Sequence, residues 1–182
     1  MTWAALFNTT PVKVKSAGAL DAVIAKAASQ IGVLEDPPKS NRGKQVEAYL
    51  ASVGLKGGYA WCAAFVHWCF REAMGDANPC PKSGGVIDLW HQIGAAKKLR
   101  LTPAQAKANP GLILPGMLFF LDTGGGFGHV GFVEKVQGIY LTTIEGNTNE
   151  GGSRDGVGVF RRKSRTIGQV SLGFADLSRP NA

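Results

Sequence analysis

Gly57-Gly58-Tyr59-Ala60-Trp61-Cys62-Ala63-Ala64-Phe65-Val66 runs from a flexible glycine turn into an apolar segment. It predicts a helix from near Trp61 to about Met74, with Gly75 as its stop. Cys62 then sits in the first helical turn. Unpaired backbone N–H groups and the positive end of the helix dipole favour a thiolate there. The same N–H groups suit an oxyanion on a substrate carbonyl. A buried structural thiol is the commoner fate of a single cysteine, and at this point both readings stand. Cys69 falls two turns deeper on nearly the same face, with Phe65, Val66 and Ala73, and reads as core. Its sulfur would lie roughly 10 Å from that of Cys62 along the axis, too far for a disulfide. Cys80, between Pro79 and Pro81, receives no role.

Working outward, residues 1–16 carry no clear period and read as an N-terminal arm, with residues 17–182 as a single domain. Ala17 to Ile31 is Ala-rich, with Leu20, Val23, Ile24, Ala27 and Ile31 at helical spacing, and Gly32 and Pro37-Pro38 beyond it as stops. Ser40 or Asn41 is placed to cap a second helix through Val46, Tyr49 and Leu50. Val86 to Ile93 reads as a short helix, and Thr102 or Pro103 opens a weak turn to Lys107. The pattern then changes. Met117–Leu121, Val130–Val136, Ile139–Ile144, Val157–Arg161 and Val170–Phe174 read as strands between glycine-rich turns. Helices first and strands later predict the α+β class.

The bulk numbers exclude several classes. The chain has 182 residues, 45% of them hydrophobic, enough for a core without metals or disulfides. No apolar run approaches the roughly 20 residues that span a bilayer. Met1 to Thr10 lacks a basic region and a long apolar stretch, so no secretory signal peptide is read and synthesis in a cytoplasm is expected. The three cysteines are an odd count, which argues against a disulfide framework. The net charge of +7 fits either solubility or attraction to a polyanion such as an acidic wall. Its densest run, Arg161, Arg162, Lys163 and Arg165, has no aromatic interleaving beyond Phe160, unlike a nucleic-acid module. No nucleic-acid or membrane partner is expected.

Three histidines are candidates for a base. His67 is turned about 140° from Cys62 around the helix and cannot reach it. His91 sits in a short amphipathic stretch and reads as packing. His129 opens a strand after the Gly124-Gly125-Gly126-Phe127-Gly128 turn and shares a face with Gly131 and Val133, which leaves open space beside the imidazole. No Lys-Ser/Thr pair follows the glycines, so a phosphate loop is a weak reading. The next strand ends Glu145-Gly146-Asn147. If these strands form a hairpin around Gln137-Gly138, parity requires an odd loop of about three residues to bring Glu145 or Asn147 level with His129. A two-residue loop would turn Glu145 away. An acidic or amide partner on the far nitrogen would fix the imidazole tautomer.

Four ordered motifs carry a resemblance. Trp61-Cys62-Ala63-Ala64-Phe65-Val66, Pro115-Gly116-Met117-Leu118-Phe119-Phe120, Gly128-His129-Val130-Gly131-Phe132-Val133 and Ile144-Glu145-Gly146-Asn147 resemble the CHAP family, the cysteine, histidine-dependent amidohydrolases/peptidases. The likeness runs from about Ile31 to Phe174. It implies a papain-like fold, with N-terminal helices packed on a C-terminal antiparallel sheet. It implies Cys62 as nucleophile and His129 as base, with the family's acidic partner on Glu145 and its polar fourth residue on Asn147. Trp61 and Tyr59, beside the nucleophile, are expected to bind substrate. Met117 departs from the acidic residue that often follows Pro-Gly, and the Asp-rich calcium loop of some lysins is missing; no metal or cofactor is expected.

The resemblance implies a peptidoglycan hydrolase, either an N-acetylmuramoyl-L-alanine amidase or a cross-link endopeptidase. Such a protein would be a monomer acting at the bacterial wall or periplasm, as an endolysin or as an antibacterial effector. Delivery machinery or an immunity protein would be its partner. The alternatives are a catalytically silent wall-binding module on the same fold, and an amidase for a non-wall substrate.

Overall fold

The structure, a computed structural model, describes residues 17–149 and 156–181; the expected arm lies outside them. Helices α1 (Ala17–Ala28), α2 (Lys44–Ser52), α3 (Cys62–Met74) and α4 (Val86–Ala95) come first. Strand β1 (Lys98–Leu101) and helix α5 (Pro103–Ala108) follow. Then come β2 (Leu118–Gly124), β3 (Phe127–Gln137), β4 (Tyr140–Thr148), β5 (Gly158–Thr166) and β6 (Gly173–Pro180). The class is α+β, as the order of patterns predicts.

Local differences have physical reasons. Helix α1 ends at Ala28 rather than Ile31, because Gly32, Val33 and Glu35 turn to hydrogen-bond backbone at Val157 and Val159, at the edge of β5. Neither Ser40 nor Asn41 caps α2. Its N-cap is Gly43, and the N–H of Asn41 goes instead to the buried Glu35 carboxylate. Thr102 and Gln105 form a reciprocal capping box on α5, so that weak turn is a true helix start. The last strand begins three residues later than its apolar run, because Val170 closes a 3₁₀ turn onto Ile167.

The strands form one six-stranded antiparallel sheet in the order β1-β6-β2-β3-β4-β5. One face, with Leu118, Phe120, Val130 and Phe132, packs on the helical layer, where Phe65 and Phe70 of α3 meet Phe132. The other face, with Phe119, Val133, Leu141 and Phe174, closes over Ala106 of α5 and Ile167.

The β3–β4 hairpin answers the parity requirement by an unexpected route. Gln137 pairs with Tyr140, so the loop is two residues, Gly138-Ile139, with Gly138 at φ 60 as the first position of a type II′ turn requires. Alone, that loop would aim Glu145 away from His129. Between Val133 and Lys135 the register shifts, leaving Glu134 as the extra residue of a β-bulge. Beyond it Val133 faces Thr143, and Phe132 faces Ile144. Glu145 therefore returns to the face of Gly131 and His129. The bulge supplies the odd offset expected of a three-residue loop. Glu134 accepts two bonds from Arg161 on β5, at 2.8 and 2.9 Å.

Strand β4 can lie close to α3 only because residue 146 has no side chain. A Cβ there would stand 2.8 Å from both the Phe65 and Trp61 rings. Gly146→Ala is expected to destabilise the protein by about 1–3 kcal/mol through overpacking. Urea unfolding would show a lower midpoint with an unchanged slope; an unmoved midpoint would contradict the tight α3–β4 approach.

Candidate active site

Cys62 is the first residue of α3 and is buried, with 5% of its surface exposed. The N-cap position is Trp61, whose side chain makes no capping bond to the first-turn N–H groups. Trp61 itself is fully buried. Its ring stacks on Tyr49 at 5.5 Å and its indole N–H donates to Glu35 Oε1 at 2.9 Å. The expectation that Trp61 touches substrate is thereby corrected: its ring is core, held behind the cysteine. Tyr59 is 58% exposed, next to Ala60, which lines the pocket.

Cys62 and His129 open onto one pocket of about 170 Å³, with Ala60, Leu121, Asn147 and Arg165 among its walls. Although α3 packs on the opposite face of the sheet, Cys62 and His129 meet at this pocket, near enough for the thiol to help raise the imidazole pKa. The ring Nε2–H donates to Glu145 Oε2 at 2.8 Å, which leaves Nδ1 for the sulfur. The space beside the imidazole is filled rather than open. The Phe119 ring stands 6.0 Å away, and a Cβ on Gly131 would meet Phe119 at 2.8 Å and Glu145 Cγ at 3.0 Å. Gly131 thus makes room for the glutamate.

Glu145 has no exposed surface and a complete set of donors. Besides His129, the Thr143 hydroxyl donates to Oε1 at 2.6 Å. Arg165 donates from Nε to Oε1 at 2.8 Å and from Nη2 to Oε2 at 2.7 Å. Arg162 Nη1 stands 3.7 Å from Oε2. Burial alone would raise the carboxyl pKa, but the bonds and charges of His129 and Arg165 outweigh it and hold Glu145 well below the usual carboxylate range. Burial likewise disfavours a charged His129, yet its bonds to Cys62 and Glu145 raise it to about 9. Asn147 lines the pocket in a left-handed conformation, φ 53, but Glu145 and not Asn147 holds the far nitrogen.

Arg165 was not singled out as a site residue from sequence, nor was Glu35. In sequence the basic run stands out only as the densest positive charge, but Arg161 pairs with Glu134, while Arg162 and Arg165 turn inward to Glu145. The usable signal is that a glutamate buried on a strand needs a cation on the neighbouring strand. His67 is also buried, with Nδ1 3.1 Å from the carbonyls of both Cys80 and Pro81, away from the pocket.

The α+β fold, with its helices first and its antiparallel sheet after them, thus joins a helix-start cysteine to a strand histidine and a buried glutamate. The CHAP domain model matches residues 54–147, more than half of the chain, and the chain belongs to the CHAP family. The match spans Cys62, His129 and Glu145 and ends on Asn147. Membership carries a peptidoglycan-related amidase or peptidase class at family level. No curated protein and no solved structure matches the chain at a significant level.

The raised His129 pKa makes stability depend on pH. Unfolded, the ring titrates near 6.5; folded, it titrates near 9. Stabilisation by the imidazolium is complete below about 6.5 and is lost as pH rises through about 9. The stability advantage of wild type over His129→Gln, measured by denaturant unfolding at a series of pH values, is expected to shrink across that window. An advantage constant with pH would contradict the pairing.

Proposed function

We propose that this chain is a cysteine hydrolase that cuts an amide bond of peptidoglycan, as an N-acetylmuramoyl-L-alanine amidase or a cross-link endopeptidase. The supporting observation is that Cys62 and His129 line one pocket while the far nitrogen of His129 is hydrogen-bonded to the buried Glu145. The Cys62 sulfur attacks the amide carbonyl carbon, and N–H groups of the first turn of α3 bind the oxyanion. The Nδ1–H of His129 protonates the leaving amine as the C–N bond breaks, leaving a thioester on Cys62. His129, now neutral, takes a proton from water as the oxygen adds to the thioester. The acid departs and the sulfur is restored. Glu145 keeps Nε2 protonated and Nδ1 facing the sulfur throughout. Asn147, at the pocket, is assigned to the catalytic set as its fourth, polar member, and Tyr59, beside the pocket, to substrate contact.

In this reading the protein is made in the cytoplasm as a monomer and acts at the wall or periplasm. A lysis, tail or secretion apparatus delivers it, and an immunity protein guards the producing cell if it serves as an antibacterial effector.

Cys62→Ala is expected to lower turnover by about 10⁴-fold or more while leaving the fold intact. Mass spectrometry of digested purified peptidoglycan would read this as loss of released muropeptides, and the wild-type fragments would name the bond. Full digestion by the variant would sink the mechanism. Intact folding with no fragments from wild type on any wall would favour a silent binding module instead. Because His129 must carry the proton given to the amine, kcat is expected to fall as pH rises through about 9. A flat profile to higher pH would remove His129 from that role.

A further inference from the structure

We propose that Arg165 is a positioning residue for the hydrolytic reaction: its guanidinium fork fixes the rotamer of Glu145 and, through it, the tautomer and aim of His129 toward Cys62. This rests on the reading of Cys62 and His129 as the reacting pair. Arg165 makes two parallel bonds to the two oxygens of Glu145, at 2.8 and 2.7 Å. Its side chain is 6% exposed, and its guanidinium carbon lies 4.4 Å from the centre of the Phe119 ring. That ring in turn stands 6.0 Å from the imidazole. One aromatic side chain therefore backs both the guanidinium and the histidine.

The division of the carboxylate shows what the fork does. Oε2 accepts from both His129 Nε2 and Arg165 Nη2, while Oε1 accepts from Arg165 Nε and the Thr143 hydroxyl. A carboxylate held only by His129 and one hydroxyl can rotate about its last torsion, which is broad and roughly two-fold. The planar fork removes that freedom, because both of its donors fit only one carboxylate plane. Arg162 adds positive charge at 3.7 Å, but no fork: its Nη1 is beyond hydrogen-bonding distance of Oε2 and its Nε has no partner among the described residues. Arg165 acts through Glu145, whose two oxygens both of its bonds reach.

A double-mutant cycle of Arg165→Met and Glu145→Gln tests this, scored by kcat and KM on soluble peptidoglycan fragments and by the proton resonance of His129 Nε2–H. Arg165→Met is expected to lower kcat by about 10- to 100-fold with little change in KM, as loss of a supporting partner does elsewhere. The downfield Nε2–H signal should broaden or vanish, with the rest of the amide spectrum retained. In the double variant kcat should equal that of Glu145→Gln alone, because the route through Glu145 is already cut. Losses that multiply, or a wild-type Nε2–H signal in Arg165→Met, would overturn the proposal. Should Arg165→Met fail to fold, Arg165→Lys keeps the charge without the fork. It is expected to lose both kcat and the signal, and wild-type behaviour would overturn the proposal equally. The resonance needs no substrate, so it judges Arg165 even if the wall proves not to be the substrate.

Discussion

A carboxylate with no exposed surface is the constraint to which the rest of this structure answers. Removing an ion from water carries a penalty of several kcal/mol unless geometry and hydrogen bonds compensate. Glu145 meets that condition with donors from three strands: His129 on β3, Thr143 on its own strand β4 and Arg165 on β5. Any one of these strands out of register would leave the charge underbonded. The glutamate thus specifies the packing of β3, β4 and β5 as much as it serves the imidazole.

Two backbone devices make that packing possible. The bulge at Glu134 corrects the parity of a tight hairpin, so that 143, 145 and 129 share a face. Two glycines then set distances. The absent side chain of Gly131 admits Glu145, and that of Gly146 admits the rings of Trp61 and Phe65 from α3. Behind the cysteine, Glu35 binds both the Trp61 indole and the Asn41 backbone, fixing the N-cap residue just before α3. Position at the pocket is therefore set from both sides of the sheet.

Much of this was legible from short-range pattern. Helix α3 with its Gly75 stop, the change from helical to strand period, and the placing of Cys62 at a helix start all follow from local rules. Parity correctly demanded an odd offset between His129 and Glu145, yet the device escaped, since a single glutamate within a strand bears no mark of a bulge. Strand β1 escaped because Lys98-Leu99-Arg100-Leu101 is short and half charged. Trp61 misled because an aromatic beside a nucleophile reads equally as groove or core; the deciding partner, Glu35, lies 26 residues away. Arg165 escaped for the same reason, its partner being 20 residues distant within a run that resembles solvated surface.

The attachment of residues 32–35 to the edge of β5 has a consequence for the order of assembly. The loop that braces the cysteine from upstream rests on a strand synthesised more than a hundred residues later, and that same strand carries Arg165. A nascent chain that has emerged only as far as β4 holds sulfur, imidazole and glutamate but lacks the strand that anchors their brace and carries their counter-ion. Such long sequence separations make closure a late event. Completion of the site thus arrives with β5, not with the three residues at its centre.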